Sequence, residues 1–167
     1  MVIPINQFIH DTNYDNYLIV ADDVIVTTQA YLHVAALLKT HEMATGYCRL
    51  SQDSPYLNVV RGPLRLANGN CAQMSDYDFY HKDEIRILQD PVFVTWFGGW
   101  ALTGMRREQW LEHPFQVNAG NGAQSDFEVF YRLNRPIVAH RDAYIEHIKP
   151  TMADALKQHF LVGRVAR

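Results

Sequence analysis

The chain is divided into short apolar segments by turn-forming residues, and this division constrains its fold more than any other feature. The segments are rich in β-branched and aromatic residues, which favour extended strands. Glycine, proline, asparagine and aspartate separate them, as in the turns Ala21-Asp22-Asp23 and Asn68-Gly69-Asn70. The strand-like segments are 2–9, 17–20, 24–28, 47–50, 56–61, 64–67, 84–88, 92–97, 100–103, 127–133 and 136–139. A chain divided in this way predicts a sheet of short strands.

A first helix is predicted over residues 28–44. Apolar side chains recur there at i, i+3, i+4 and i+7, the pattern of one buried helix face. That face comprises Tyr31, Val34, Ala35 and Leu38. The hydroxyl of Thr27 or Thr28 can cap the start of the helix, and Gly46 can supply the left-handed residue beyond its end.

A second long helix is predicted over residues 142–162. Its apolar stripe consists of Ile145, Ile148, Met152, Ala155, Leu156 and Phe160. Pro150 lies inside this stretch, and an interior proline removes a helix hydrogen bond and clashes with the preceding turn. We therefore expect a kink or a break near Lys149. A shorter helix is expected over 106–113, where Pro114 ends it.

Two adjacent glycines, Gly98 and Gly99, separate the apolar segments 92–97 and 100–103. Two-residue primed turns require positive φ, so this arrangement predicts a β-hairpin. Both faces of that ribbon are apolar, which places it in the middle of a sheet or under a helix. The predicted fold is a single α+β domain, residues 1–167, with a mainly antiparallel sheet, this hairpin at its centre and the two long helices packed on it. A β-barrel or sandwich with a helical tail is the alternative.

Composition and charge exclude several classes of protein. The chain of 167 residues has no run of eighteen apolar residues, which excludes a membrane-spanning helix. Its first residues lack the features of a secretory signal, so we expect a cytoplasmic protein. Two cysteines, Cys48 and Cys71, are too few for a disulfide scaffold or a four-cysteine zinc site. The net charge is −3, with a basic surplus confined to 130–167, and a nucleic-acid partner is not expected at this charge.

Familiar catalytic motifs fail when their spacing is checked. His41-Glu42 begins a zinc-protease motif, but Thr45 stands where the second histidine is required. A dinucleotide-binding motif that begins at Gly120 lacks its third glycine. Residues 140–142 begin like a kinase catalytic loop but lack its asparagine. The zinc-deaminase motif fails because Cys48 and Cys71 lie too far apart, and no nucleophile-elbow motif is present. These failures favour a non-catalytic protein.

Two clusters of ionisable residues remain as candidate sites. The first comprises Asp76, Asp78 and His81, followed by Asp83 and Glu84. Carboxylate and imidazole groups at this density can hold Mg²⁺, Mn²⁺ or Zn²⁺. The alternative interpretation is an acidic loop held in place by the aromatic residues between these positions.

The second cluster comprises His140, Asp142, Glu146 and His147. On the predicted helix Asp142 and Glu146 share a face, and a carboxylate paired with a histidine can act as a general base. Asp142 also has a simpler role, because an acid at the start of a helix complements the helix dipole. We expect Cys48 to be a small buried residue, and His33 to be a surface or hydrogen-bonded residue rather than a ligand.

The sequence favours a protein-interaction protein, such as an assembly subunit, an inhibitor or an accessory factor of the kind that phages and mobile elements encode. Its expected partner is another protein or a second copy of the chain, and no cofactor is expected. Aromatic and arginine side chains supply most interface energy. The candidate binding residues are Tyr77, Phe79, Tyr80, Trp110, Tyr131, Arg132 and Arg135.

Two other functions stay open. One is a metal-dependent hydrolase or phosphoesterase that uses a divalent metal at Asp76, Asp78 and His81, or at the second cluster. The other is a small-molecule or nucleotide-binding domain, with the ligand on the Gly-Gly hairpin and on residues 118–125. Long glycine-bearing loops of this kind are often functional.

Overall fold

The computed structural model describes residues 2–21, 23–64, 66–67, 70–71, 77–115 and 125–148. Within these ranges, short strands and helices follow one another along the chain. The helices are α1 (Val2–Asp11), α2 (Thr28–Leu37), α3 (Lys82–Arg86), α4 (Arg107–Glu112) and α5 (Ser125–Leu133). The strands are β1 (Asn16–Val20), β2 (Val24–Ile25), β3 (Met43–Tyr47), β4 (Tyr56–Val60), β5 (Leu66–Ala67), β6 (Asn70–Cys71), β7 (Phe79–His81), β8 (Val92–Thr95), β9 (Leu102–Arg106), β10 (Ile137–Tyr144) and β11 (Glu146–His147).

Five of these strands form the main sheet, in the order β1-β9-β3-β10-β8. The pairing of β3 with β10 is parallel, and the other three pairings in this sheet are antiparallel. The remaining described strands form two-stranded pairs, β2 with β11, β4 with β7, and β5 with β6. The fold is therefore α+β with a mostly antiparallel main sheet, and that prediction is confirmed.

The two faces of the main sheet carry separate apolar clusters. On one face, Val34 of α2 packs in a cluster with Leu102 of β9. On the other face, aromatic side chains from α4, α5 and the segment after β8 pack together. The ring centroid of Trp100 lies 5.6 Å from that of Trp110 and 5.4 Å from that of Phe130. Helices therefore cover both faces of the sheet, and the aromatic residues near Trp100 belong to the core.

Helix α2 starts as the sequence predicts and ends earlier. Oγ1 of Thr27 accepts a hydrogen bond from the Ala30 N–H at 3.1 Å, so Thr27 is the capping residue. The buried face is turned by about one residue from the predicted one, since Ala30 is fully buried and Tyr31 is 47% exposed. The helix ends at Leu37 instead of residue 44, and a turn leads directly into β3.

Gly46 is not the cap of this helix but a residue of β3. A Cβ atom at Gly46 would lie 2.5 Å from Cδ1 of Ile145. The glycine therefore permits the close approach of the segment that follows β10, and its conformational freedom at a helix end plays no part.

The predicted Gly98-Gly99 hairpin is wrong. Strands β8 and β9 flank the two glycines, but β3 and β10 lie between those strands in the sheet. Gly98 serves close packing instead, because a Cβ atom there would lie 2.2 Å from Oγ1 of Thr45. Gly99 does adopt a positive φ of 64°, which glycine tolerates without strain. The segment that contains the two glycines carries the chain from β8 across β10 and β3 to β9, and it does not turn the chain back beside β8.

The predicted helix over 142–162 is also wrong where the structure describes it. Strand β10 continues to Tyr144, and β11 follows and pairs with β2. Ala139, Ala143 and Ile145 are fully buried, and their spacing by even numbers is that of a strand with one buried face. The Ile145 N–H also donates to the Tyr47 carbonyl oxygen at 2.8 Å. Residues 149–162, with the expected kink near Lys149, lie outside the described residues.

Three more segments predicted as strands belong to helices. Residues 2–9 lie in α1, 84–88 overlap α3, and 127–133 lie in α5. Among the residues of α5 whose burial the structure describes, 128–133, the buried ones are Val129, Phe130 and Leu133, which is the spacing of a helix face. The predicted edge piece at 136–139 begins β10, which lies inside the sheet. Tertiary packing decides whether these segments become strands or helices, because their β-branched residues also fit a buried helix face.

Candidate functional site

The first predicted metal cluster lies in a network around Arg61. The Arg61 guanidinium donates to the Asp78 carboxylate at 2.5 Å and also to the Glu84 carboxylate. His81 caps α3, because its Nδ1 atom accepts a backbone N–H of the helix at 3.3 Å. Glu84 accepts the His81 N–H, and this bond, followed by the one from Arg61, lowers the pKa of the Glu84 carboxyl. Asp76 lies outside the described residues, so the metal site at Asp76, Asp78 and His81 stays a prediction, and an ion there has to compete with Arg61.

The predicted binding residues differ in exposure. Trp110 is 1% exposed and lies in the core, where it offers no surface to a partner. Tyr131 is 37% exposed, whereas Tyr77, Phe79 and Tyr80 are partly buried.

The two arginines proposed for the same surface make intramolecular bonds. Arg132 donates to the Pro114 carbonyl oxygen at 2.6 Å. Arg135 donates to the Glu42 carboxylate at 2.5 Å and also to the side chain of Gln109. Both guanidinium groups therefore contribute to the packing of α4 and α5 with their neighbours, and a partner has to share them.

The structure divides the second predicted cluster between two places. His140 and Asp142 lie on β10, where they meet His33 of α2. His147 lies on β11, where it meets Asp23 and Cys48. The cluster therefore does not form one site, and each half acquires a partner that is distant in sequence.

His33, His140 and Asp142 form the first of these groups. The rings of His33 and His140 stack with their centroids 3.8 Å apart and 9° between their planes. Oδ2 of Asp142 lies 3.8 Å from Nδ1 of His140. Within the described part of the chain, this is the one group of three or more His, Cys, Asp or Glu side chains whose ligand atoms all lie within 4.8 Å of one another.

An irregularity in β10 positions these side chains. Ala139 pairs with Thr45 and Tyr144 with Tyr47, so five steps along β10 span two steps along β3. The extra residues bulge out of the parallel ladder, and bulges re-aim side chains and are frequent next to functional sites. The Asp142 N–H donates to Nδ1 of His140 at 3.1 Å, which orients the His140 ring.

Burial controls the charge of His140. The His140 side chain is 13% exposed. Burial lowers the pKa of His140, the facing His33 ring lowers it further, and the Asp142 carboxylate opposes both. At neutral pH the His140 ring is therefore uncharged, as a metal ligand has to be.

Cys48, His147 and Asp23 form a line from the core to the surface. Sγ of Cys48 lies 3.8 Å from Nδ1 of His147, and Nε2 of His147 lies 2.7 Å from Oδ2 of Asp23. Thiol, imidazole and carboxylate in this order are the groups of a nucleophilic cysteine site. Cys48, however, is 1% exposed and packs in the apolar cluster under α2. A thiol in apolar surroundings is unreactive, so the arrangement is that of a hydrogen-bonded core cysteine.

A pocket of about 390 Å³ opens beside this line. It is lined by Arg49, Ser51, Gln52, Tyr144, Glu146, His147 and Ile148. The imidazole of His147 reaches this pocket, but Cys48 does not line it. A molecule in this pocket would therefore contact the imidazole of His147 and not the thiol of Cys48.

A second, apolar groove lies between α1 and β1 and has a volume of about 430 Å³. It is lined by Ile5, Phe8, Ile9, Tyr17, Leu18, Ile19 and Val20. Because the side chains of consecutive strand residues alternate, a groove lined by all four of 17–20 runs along the edge of β1 rather than over one face. Phe8 is 55% exposed and Val20 is 49% exposed, so apolar surface faces solvent there.

The backbone of β1 also presents hydrogen-bonding groups to this groove. The Arg107 N–H donates to the Asp15 carbonyl oxygen, which places the odd-numbered residues of β1 in the ladder with β9. In an antiparallel strand the next residues direct their N–H and C=O groups to the other side. Asn16, Leu18 and Val20 therefore present these groups outward, and no described residue hydrogen-bonds to them.

The opposite edge of the sheet, β8, is covered. The Tyr80 hydroxyl donates to the Val94 carbonyl oxygen at 2.9 Å, and the Trp96 N–H donates to the Val60 carbonyl oxygen at 3.0 Å. The outward carbonyl oxygen of Val94 and the N–H of Trp96, which follows β8, thus have partners within the chain. The two edges of one sheet differ in the backbone groups that they leave for another molecule.

The chain matches no protein-family model, and no curated protein is significantly similar to it. None of the described helices combines the length and the apolar character that crossing a membrane requires. The third function suggested by the sequence placed a ligand on the Gly-Gly hairpin and residues 118–125. That hairpin does not form, and residues 118–124 lie outside the described part of the chain.

Sequence reasoning missed His33, Asp23 and the α1–β1 groove. The sequence predicts that His33 is a surface or hydrogen-bonded residue rather than a ligand, and that Asp23 lies in a tight turn. One signal was available, because the even spacing of Ala139, Ala143 and Ile145 indicates a strand and separates His140 from His147. The bulge in β10 has no sequence signal, since it depends on pairing with β3.

Proposed function

We propose that this protein is an interaction module that binds an extended segment of another protein along the edge of β1. The observation that carries the proposal is the apolar α1–β1 groove beside outward backbone groups for which the described residues supply no partner. An added strand satisfies such groups, and pockets for its alternate side chains give specificity.

The sequence of β1 supports strand addition. Natural edge strands avoid association by carrying lysine or proline, by bulging, or by being covered. β1 reads Asn-Tyr-Leu-Ile-Val, and it pairs with β9 without a register shift over all five residues. It therefore lacks the charged, proline and bulge devices that protect an edge, and β8 shows that this fold can cover an edge with its own side chains.

Charge around the groove favours a different protein over a second copy as the occupant. Asp11 and Asp15 are exposed before β1, and Asp23 is exposed after it. Two β1 strands paired about Leu18 bring the acidic end of one copy to the acidic end of the other, which is unfavourable. A segment with apolar residues at alternate positions and Lys or Arg at both ends meets these carboxylates with opposite charge.

A displayed library of random peptides tests this function. Selected peptides are synthesised and titrated into the full chain while amide hydrogen exchange is followed residue by residue. We expect the selected peptides to share an apolar alternating centre with basic ends, and to slow exchange at Leu18 and Val20. Selection of no peptide, or of peptides that protect amides elsewhere, overturns the proposal.

The same measurement distinguishes other occupants of the edge. Protection of Leu18 and Val20 that grows with protein concentration alone assigns the edge to a second copy. Protection that is complete without peptide at every concentration assigns it to the chain's own residues. Either result overturns the proposal that another protein binds there.

A further inference from the structure

We propose that His33, His140 and Asp142 bind one divalent transition-metal ion, Zn²⁺ or an ion of similar preference, where α2 meets β10. The site lies apart from the α1–β1 groove and does not depend on the proposed function. Its ligands come from two elements that pack closely, a helix capped by Thr27 and a strand inside the sheet.

The three ligand atoms are close to the separation that an ion requires. They lie within 4.8 Å of one another. Zinc bonds of about 2.0–2.1 Å in a tetrahedral site place ligand atoms roughly 3.3 Å apart. The two rings also have to turn out of their stack, because a metal bond lies in the plane of an imidazole and one ion cannot lie in two parallel planes. His33 can turn, because its ring is partly exposed and the hydrogen bond that the described residues give it, to Gln29, is long at 3.5 Å.

The Asp142 side of the site is already arranged around His140. Nδ1 of His140 accepts the Asp142 N–H and faces the Asp142 carboxylate at 3.8 Å. An ion seated between this nitrogen and the carboxylate replaces the single N–H hydrogen bond with two metal bonds. The Asp142 side chain is 47% exposed, so an ion can enter from solvent without unfolding the strand.

The donor set selects the class of metal. Imidazole nitrogens suit Zn²⁺, Cu²⁺, Ni²⁺ and Fe²⁺, whereas Mg²⁺ and Ca²⁺ prefer sites made of oxygen ligands. Two histidines and one carboxylate leave a fourth position for water, as in zinc sites that are open to small molecules.

Metal titration of the full chain tests the site. The chain is first treated with a chelator and then titrated with Zn²⁺ by calorimetry and with Co²⁺ by absorption spectroscopy. We expect one equivalent to bind, and Zn²⁺ to displace Co²⁺. The Co²⁺ spectrum should lack a thiolate charge-transfer band, because no cysteine is in the ligand set.

Two variants at partly exposed or exposed positions, His33→Ala and Asp142→Asn, are expected to fold. Each should weaken Zn²⁺ binding by more than the roughly 10–100-fold that the loss of an outer-shell partner costs. His10→Ala is the matched control, because His10 is also a histidine beside a carboxylate, 3.0 Å from Asp11, but outside this group. Equal binding by His33→Ala and His10→Ala, a thiolate band from Cys48, or no saturable binding of either metal overturns the proposal.

Discussion

The Cys48 thiol lies 3.8 Å from an imidazole that is itself paired with a carboxylate, yet Cys48 is 1% exposed. The imidazole and carboxylate beside this thiol are the groups that activate a nucleophile, but the thiol itself is buried in the core. Burial decides the outcome, because thiolate formation in an apolar cluster is unfavourable. At the scale of single residues, a group's chemistry in this protein depends first on whether water reaches it.

We predict that Cys48 reacts with iodoacetamide only as fast as the protein unfolds. The thiol has to leave the cluster under α2 before a reagent can reach it. Mass spectrometry of proteolytic peptides measures the rate and separates Cys48 from Cys71. The variant Asp23→Asn should not slow labelling beyond any change in its unfolding rate. Fast labelling that Asp23→Asn slows would instead identify an activated thiol.

The lowered pKa of His140 predicts a pH dependence of stability. Below the ordinary histidine value of 6.5, the unfolded chain binds a proton that the folded chain does not yet bind. Stability therefore falls as the pH decreases through 6.5, until His140 also protonates in the folded state. His113 acts in the same direction, because burial lowers its pKa too.

Urea unfolding measures this dependence. The free energy of unfolding should be lower near pH 5.5 than near pH 7.5, by an amount that His140→Gln reduces and does not abolish. A chain that is more stable near pH 5.5, or a His140→Gln variant with an unchanged difference, contradicts the prediction.

At the scale of elements, the local sequence pattern predicts the secondary structure correctly in segments whose own residues determine it. The α2 start, the strands over 17–20 and 56–61 and the short helix over 106–113 all agree closely with prediction. The segments 2–9, 127–133 and 142–148 failed, because their apolar residues fit either period and packing partners far along the chain choose between them.

The candidate sites show the same division. His140, Asp142 and His147 were recognised as chemically capable residues, because residue type is visible in a sequence. Their partners His33, Asp23 and Cys48 come from distant elements, and only the sheet order brings them together. The α1–β1 groove was not predictable, because residues 2–9 were expected to form a strand.

We predict that Gly98→Ala destabilises the protein by about 1–3 kcal/mol, the usual cost of overpacking. Thr45, whose Oγ1 would lie 2.2 Å from the new Cβ, is fully buried and hydrogen-bonded to Thr103, so it cannot move aside. Gly62→Ala is the control, since nothing lies within 4 Å of a Cβ there, and its effect should stay within about 0.5 kcal/mol. Chemical denaturation measures both, and equal stability of the two variants contradicts this account of Gly98.

At the scale of the whole molecule, the main sheet is covered by helices on both faces and differs at its two edges. On β8 the outward carbonyl oxygen of Val94 is occupied by the Tyr80 hydroxyl, whereas β1 faces an apolar groove. The net charge of −3 arises from an acidic surplus before residue 130, which includes the carboxylates beside β1. Shape, backbone and charge therefore favour the same place as the docking surface, and a basic, extended partner suits all three.

The most direct test of this central claim compares proline at the two edges. Val20 and Val94 are both valines on edge strands, 49% and 50% exposed, and both direct their N–H groups away from the sheet. Proline at either position removes one outward N–H, which edge strands tolerate. Fluorescence anisotropy of a selected peptide should show binding weakened at least tenfold by Val20→Pro and unchanged by Val94→Pro. Equal binding to the two variants would show that partners do not add a strand to β1.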